Sequence, residues 1–135
     1  MKKELKCVML VDDDADDNFF HEREIKKVNV ENIVIAENSA MKGLEYLRAM
    51  KSNKDPYPDL IFLDINMPRM NGWEFLQEYN RLDKELQSRA IIIMLTTSEN
   101  PNDKLRAKTW DFVRDYISKP LTREIMREII ATHFN

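Results

Sequence analysis

Residues that could bind a cation or react at phosphorus stand directly after four short apolar runs of this sequence. They offer three carboxylates, a hydroxyl and an ammonium group, on Asp12, Asp13, Asp64, Thr96 and Lys119. Two unit charges about 4 Å apart repel by roughly 4 kcal/mol at an effective dielectric constant near 20, so clustered carboxylates need a cation or raised pKa values. Carboxylates, a backbone carbonyl and water are typical ligands of Mg²⁺. If these side chains meet, an aspartate could attack phosphorus while the metal, the ammonium and the hydroxyl hold the phosphoryl oxygens.

The elements that must position these groups alternate along the chain. Short apolar runs, typical of strands buried on both faces, occupy residues 7–11, 33–36, 60–63, 90–95 and 116–117. Helical patterns occupy residues 15–28, 39–51, 72–84, 101–110 and 122–133, with Ser39 and Thr122 as N-caps. This alternation predicts a doubly wound α/β domain with a parallel sheet between two layers of helices. Because ligands of such folds bind beyond the carboxyl ends of the strands, the polar groups are expected on one edge.

The length and composition favour a single cytoplasmic domain that does not bind nucleic acid. The chain has 135 residues, about one domain, and we expect a single domain over residues 1–135 with no output domain. Its 21 Lys and Arg residues against 24 Asp and Glu give a net charge of −3, which argues against a nucleic-acid-binding face. The one cysteine, Cys7, has no partner for an internal disulfide. No apolar run approaches the roughly 20 residues of a membrane span, so we expect a cytoplasmic protein.

Four motifs of the sequence resemble those of the receiver domains of two-component response regulators, especially single-domain regulators of the chemotaxis type. They are LVDDD at residues 10–14, PDLIFLDINMPRMNG at 58–72, MLTTS at 94–98 and YISKP at 116–120. The motifs occur in the family's order and extend over essentially the whole chain. The resemblance implies a flavodoxin-like fold, with a five-stranded parallel sheet in the order 2-1-3-4-5 and five flanking helices.

The resemblance also implies the chemistry of the site. Asp64 would accept a phosphoryl group from a sensor histidine kinase or a phosphotransfer protein. Mg²⁺ would bind to Asp12, Asp13, Asp64 and the backbone carbonyl of Asn66. A protein of this kind assists its own phosphorylation and dephosphorylation but is not otherwise an enzyme.

The resemblance also implies that further residues of the motifs bind the phosphoryl group or change conformation in response to it. Thr96 and Lys119 would bind phosphoryl oxygens, and Tyr116 would move together with Thr96. A cis peptide bond between Lys119 and Pro120 would direct the lysine into the site. The signal would change the affinity of the face formed by residues 101–133 for a downstream protein whose identity the sequence does not give. The protein is expected to be a monomer or a weak homodimer.

The sequence departs from the family pattern before the fifth predicted strand. The glycine usual there is absent from residues 111–115. We therefore expect this turn to be reshaped, which concerns the output face and not the acidic residues. Residues 51–57 and 83–89 also form longer segments than in the shortest family members.

Three other functions are weighed against this one. A phosphohydrolase with an aspartate nucleophile would need an acid two residues after Asp64, where Asn66 stands, and a cap domain for which the chain has no room. A nucleotide- or flavin-binding protein would need a glycine-rich loop after the first strand, where this chain has acids. A degenerate receiver that acts only as an interaction scaffold is the closest alternative, and the full set of acids, hydroxyl and lysine argues against it.

Several residues of the first and last helical patterns are assigned structural roles. The acids at positions 14, 16 and 17 are interpreted as a solvated helix start favoured by the helix dipole. Phe19, Ile25 and Val28 are expected to face the core from one side of the first helix. His21 and His133 are expected to be exposed to solvent, because neither has a partner motif.

Overall fold

The computed structural model describes residues 2–49 and 56–135. Within these residues five strands alternate with six helices: β1 (Cys7–Val11), α1 (Ala15–Val28), β2 (Ile33–Glu37), α2 (Ala40–Ala49), β3 (Leu60–Leu63), α3 (Gly72–Tyr79), α4 (Lys84–Gln87), β4 (Ile91–Thr96), α5 (Pro101–Ala107), β5 (Val113–Ser118) and α6 (Arg123–His133). The strands form one parallel sheet in the order β2-β1-β3-β4-β5. The predicted doubly wound α/β fold and its strand order are confirmed.

Two hydrophobic layers cover the two faces of the sheet. Successive residues of a strand point to opposite faces, so Met9 and Ile61 pack against α2, α3 and α5 on one side. Leu10 and Phe62 pack against α1 and α6 on the other side. Every residue of β1 and β3 is therefore buried, whereas the edge strand β2 is partly exposed.

Polar side chains determine where the helices begin. Asp14 caps α1 and accepts hydrogen bonds from two backbone N–H groups of its first turn. The predicted caps are also present: Thr122 accepts from the N–H three residues on, and Ser39 Oγ accepts from the N–H of Lys42 at 3.1 Å. Among the helices of the described residues, none has the length and hydrophobicity of a membrane span.

The prediction of one helix over residues 72–84 is wrong. The helix α3 ends at Tyr79, and the separate one-turn helix α4 makes the total six, not five. The amide Nε2 of Gln87 donates hydrogen bonds to the carbonyls of Asn80 (3.0 Å) and Leu82 (2.7 Å). These bonds stabilise the non-helical link between the two helices. The predicted end of the second helix at residues 50 and 51, and most of the longer segment 51–57, lie outside the described residues.

An aromatic ring occupies the turn before β5, where the usual glycine is absent. The carbonyl of Trp110 accepts a hydrogen bond from the N–H of Val113 at 3.1 Å, and the ring of Phe112 lies edge-on to Tyr79 at 4.8 Å. The pairing of β4 with β5 shifts register between Ile92 and Ile93. The strand β5 starts at residue 113 instead of 116, and Arg114 is an extra residue in its pairing with β4, because Ile92 pairs with Val113 and Ile93 with Asp115.

The inward face of α1 differs from the prediction at two residues. His21, expected in solvent, is only 2% exposed, whereas Phe19, expected in the core, is 67% exposed. Ile25 is buried as predicted. The helix packs on α6, where the carboxylate of Glu24 accepts a hydrogen bond from the N–H of Arg123 at 3.1 Å. This contact fixes the rotation of α1 so that mainly polar positions face inward.

Candidate functional site

The parallel pairing brings the predicted polar residues to one edge of the sheet. Val11 pairs with Leu63, so Asp12 and Asp64 follow neighbouring strands at the same level. The backbone continues this pairing, because the N–H of Asp64 donates to the carbonyl of Val11 at 3.0 Å. The carboxyl ends of β1 and β3 therefore place two carboxylates side by side.

Three carboxylates form what we call the acidic cluster: Asp12, Asp13 and Asp64. One carboxylate oxygen of each lies within 4.8 Å of those of the other two. Asp12 and Asp64 are buried, and Asp13 is exposed. Oxygen ligands at this spacing with one open side suit a hard divalent cation that keeps part of its water shell.

Lys119 brings a positive charge into contact with this cluster. Its Nζ atom lies 2.6 Å from Asp12 Oδ2, 2.8 Å from Asp17 Oδ2 and 3.6 Å from Asp64 Oδ2. The peptide bond from Lys119 to Pro120 is cis. Burial tends to lower the pKa of Lys119, but hydrogen bonds to Asp12 and Asp17 outweigh it and raise the pKa above its ordinary value. The side chain is therefore an ammonium ion at neutral pH.

Asp64 lies in an environment that disfavours its charge. Burial, and next the negative charge of Asp12, raise the pKa of the Asp64 carboxyl. Lys119, the Thr96 hydroxyl and the N–H of Ile65, which donates to Asp64 Oδ1 at 2.9 Å, act in the opposite direction. An additional cation at the cluster would relieve this unfavourable environment.

Thr96 and Tyr116 lie on neighbouring strands beside the cluster. Thr96 ends β4 and is fully buried, and its carbonyl accepts a hydrogen bond from the N–H of Lys119 at 3.0 Å. The half-buried Tyr116 donates a hydrogen bond from its hydroxyl to the carbonyl of Ser98 at 3.1 Å, in the loop that follows Thr96. Asn66, two residues after Asp64, has an exposed side chain. The structure thus brings Asp12, Asp13, Asp64, Thr96 and Lys119 together, with Tyr116 one strand away from the cluster.

Two contributions of α1 to this site were not predicted from the sequence. Asp17, interpreted as a solvated helix-start residue, forms an ion pair with Lys119. Asn18 is buried, and its Nδ2 donates to the backbone carbonyl of Asp12 at 2.9 Å. Neither contact follows from spacing along the sequence, because each depends on how the first turn of α1 meets the strand ends.

Gly72 is a third missed residue. A Cβ atom on this glycine would lie 2.5 Å from the carbonyl oxygen of Asp64 and 2.9 Å from the Cα of Ile65. Its N–H also donates to the carbonyl of Ile65 at 2.8 Å. The start of α3 therefore packs directly under the backbone that carries Asp64, and only glycine fits there.

Buried carboxylates, a hydroxyl and a lysine at the carboxyl edge of a doubly wound sheet form a ligand-binding arrangement of α/β proteins. Comparison with family models supports a more specific assignment, because residues 8–131 match the response regulator receiver domain. The chain therefore belongs to the receiver-domain family of two-component response regulators.

Individual relatives agree with this assignment. The chain is 26% identical over 123 residues to the sensor histidine kinase CheAY of Helicobacter pylori, with 91% of this chain and 14% of the kinase covered. It is 28% identical to the response regulator Rcp1 of Synechocystis, with 73% of this chain and 66% of that protein covered. The matched region is thus less than two thirds of each of these relatives. A crystal structure of a two-component response regulator from Cytophaga hutchinsonii superposes with a TM-score of 0.86 at 27% identity, covering 96% of this chain and 97% of that one.

Proposed function

We propose that this receiver domain works in a phosphorelay, with Asp64 as the residue that accepts the phosphoryl group. The observation that carries the proposal is the position of Asp64, which is buried at a strand end among Asp12, Asp13 and Lys119. The donor would be a histidine kinase or a phosphotransfer protein. The kinase named among the relatives supports this class of donor.

The acidic cluster also supports a requirement for Mg²⁺. Carboxylate oxygens of the three residues lie within 4.8 Å of one another, and Lys119 is a cation in contact with them. Asp13 is exposed, so one side of the cluster is open to solvent. Asp12, Asp13, Asp64 and the backbone carbonyl of Asn66 would hold the metal. When bound, Mg²⁺ neutralises negative charge on the carboxylates and on the incoming phosphoryl oxygens.

The transfer itself needs a nucleophile and fixed positive charge. A carboxylate oxygen of Asp64 forms a bond to phosphorus while the bond from phosphorus to the donor nitrogen breaks, and the electron pair of that bond stays on the donor imidazole. Lys119 and the hydroxyl of Thr96 then bind oxygens of the new acyl phosphate. Both groups already lie near Asp64, although Lys119 is also paired with Asp12 and Asp17.

The output would leave through the face formed by α5, β5 and α6. A phosphoryl group that draws the Thr96 hydroxyl toward itself also pulls on the loop that follows β4. Tyr116 is tied to that loop by its hydrogen bond to Ser98, so the ring can respond. A modification shifts such an equilibrium only by its differential interaction with the two states, typically about 1–3 kcal/mol.

Intact-mass measurement tests the central assignment. With acetyl phosphate and Mg²⁺, the wild-type protein should gain the mass of one phosphoryl group, and hydroxylamine should remove it as it removes acyl phosphates. Asp64→Asn should gain nothing, while the control Asp16→Asn, which changes an exposed acid of α1, should gain the group. An adduct of full size on Asp64→Asn would place the acceptor elsewhere. A wild-type protein that gains none would favour the scaffold function instead.

A further inference from the structure

Lys119 is shared among three carboxylates, and one of them has no part in the proposed chemistry. Asp12 and Asp64 belong to the acidic cluster, but Asp17 comes from the first turn of α1. The distance from Lys119 Nζ to Asp17 Oδ2 is 2.8 Å, against 3.6 Å to Asp64 Oδ2. In the unphosphorylated protein the ammonium group therefore lies nearer to α1 than to the proposed acceptor.

The backbone of Asp17 is fixed relative to the site. Its N–H donates to Asp14 Oδ1 at 3.2 Å, as part of the N-cap of α1. The next residue, Asn18, donates its side-chain amide to the carbonyl of Asp12 at 2.9 Å. These two hydrogen bonds hold the first turn of α1, and with it the backbone of Asp17, against the end of β1. The pair with Lys119 depends on this anchoring and is not a chance contact of two flexible side chains.

A phosphoryl group on Asp64 would compete for the same lysine. Such a group carries about −1.5 to −2 charges at neutral pH and needs a cation beside it. The Asp12 carboxylate can bind a metal ion instead of Lys119. Asp17 lies outside the acidic cluster, so it would continue to pair with Lys119.

We propose that Asp17 is a positioning residue that holds Lys119 in the resting state and competes with the phosphoryl group for it. Asp17 thereby limits how tightly the site binds an anion on Asp64. This inference rests on the proposed function of Asp64. It concerns a residue outside the set of acceptor, acid pair, hydroxyl and lysine.

The test measures the affinity for beryllofluoride in the presence of Mg²⁺, by ¹⁹F NMR of the bound anion, on the full chain. Asp17→Asn should bind beryllofluoride about three- to fivefold more tightly than wild type, the scale of a partly exposed ion pair. Asp16→Asn is the matched control: it removes the same charge from the same turn, and within the described residues Asp16 forms no ion pair. The control should stay at the wild-type affinity.

Two further measurements separate positioning from a merely structural effect. Asp17→Glu restores the charge and should move the affinity back toward wild type. The ammonium signal of Lys119 in the resting protein should shift in Asp17→Asn and stay unchanged in Asp16→Asn. An affinity of Asp17→Asn that is equal to or lower than that of Asp16→Asn overturns the inference while the proposed function stands. If the wild-type protein binds no beryllofluoride, the proposed function fails, and the inference fails with it.

Discussion

The acidic cluster and the aromatic residues around the start of β5 are built on opposite principles. Asp12, Asp13 and Asp64 repel one another and leave one side open. In what we call the aromatic cluster, rings contact at favourable angles: Phe75 with Tyr79, Tyr79 with Phe112, and Trp110 with Phe112. The acidic cluster is electrostatically unfavourable, while the aromatic cluster contributes packing energy and has no reactive groups. The free energy of unfolding should therefore respond in opposite directions to substitutions in the two regions.

The largest effect on stability is expected in the aromatic cluster. Phe112→Ala removes a half-buried ring from its contacts with Tyr79 and Trp110 and should lower the free energy of unfolding by about 2–3 kcal/mol, less than for a fully buried ring. Urea denaturation measures this change. Phe19→Ala makes the same chemical deletion at a 67% exposed site and should change stability by less than about 0.5 kcal/mol.

The comparison also requires that Phe112→Ala leave the chemistry intact. The phosphoryl mass gained from acetyl phosphate should equal that of the wild-type protein under conditions where both are folded, because Phe112 precedes the start of β5 and the acidic cluster follows the ends of β1 and β3. The reference for stability is Phe19→Ala. Equal free energies of unfolding for the two variants would show that the ring at position 112 adds no packing energy.

A second substitution tests both packing and chemistry, because Gly72 begins the packed helix α3 and lies against the backbone of Asp64, the proposed acceptor. Gly72→Ala places a methyl group against the backbone of Asp64 and Ile65 and should cost about 1–3 kcal/mol by overpacking. It should also slow phosphoryl transfer, since the backbone carrying Asp64 must move. Urea denaturation and the rate of mass gain measure the two effects.

Gly43→Ala is the control for this prediction. Its added methyl group would meet only side-chain atoms, the nearest being Val11 Cγ2 at 3.2 Å. Side chains can move aside where a backbone cannot, so the loss of stability should be smaller and the rate unchanged. If both alanine variants accept phosphoryl groups at the wild-type rate, the contact of Gly72 with the backbone of Asp64 does not affect the proposed transfer.

In the acidic cluster, a substitution should raise the free energy of unfolding of the metal-free protein instead of lowering it. Mg²⁺ at ten times its dissociation constant should stabilise the wild-type protein by about 1.4 kcal/mol through binding to the folded state. Asp13→Asn should reduce this gain and also raise the melting temperature of the metal-free protein, because it removes repulsion. Thermal melts with and without Mg²⁺ measure both, with Asp16→Asn as the control. A wild-type melting temperature that ignores Mg²⁺ would contradict the metal assignment.

The sequence allowed the fold and the acidic cluster to be predicted for a common physical reason. Apolar runs fix the strands, and parallel pairing then brings the residues after them to one edge, so Asp12 and Asp64 could be placed without coordinates. The break between α3 and α4 could not be predicted, because it depends on the Gln87 side chain reaching the carbonyls of Asn80 and Leu82. Local sequence patterns carry no information about such contacts.

The orientation of α1 was the least predictable feature. Hydrophobicity favours Phe19 over His21 as a core residue, yet the structure buries the histidine. The rotation of the helix follows from polar contacts at its two ends, where Asn18 binds the carbonyl of Asp12 and Glu24 binds the N–H of Arg123. Polar anchors thus override the apolar pattern in this helix, and they also bring Asp17 to Lys119.

The smallest expected effect is a pH dependence of stability due to His21, which the rotation of α1 buries. Burial lowers the pKa of His21 below its ordinary value of 6.5, and Lys119 acts in the same direction, while Asp17, Asp12 and Glu24 oppose them. The unfolded chain therefore binds a proton more readily than the folded one, so stability is fully present above pH 6.5 and falls as the pH drops toward the lowered pKa. Urea denaturation from about pH 8 to about pH 5 measures this slope. His21→Gln cannot titrate and should show a shallower slope, whereas His133→Gln, at a less buried site, should keep more of the wild-type slope. Identical slopes for wild type and His21→Gln would mean that the acidic neighbours cancel the effect of burial.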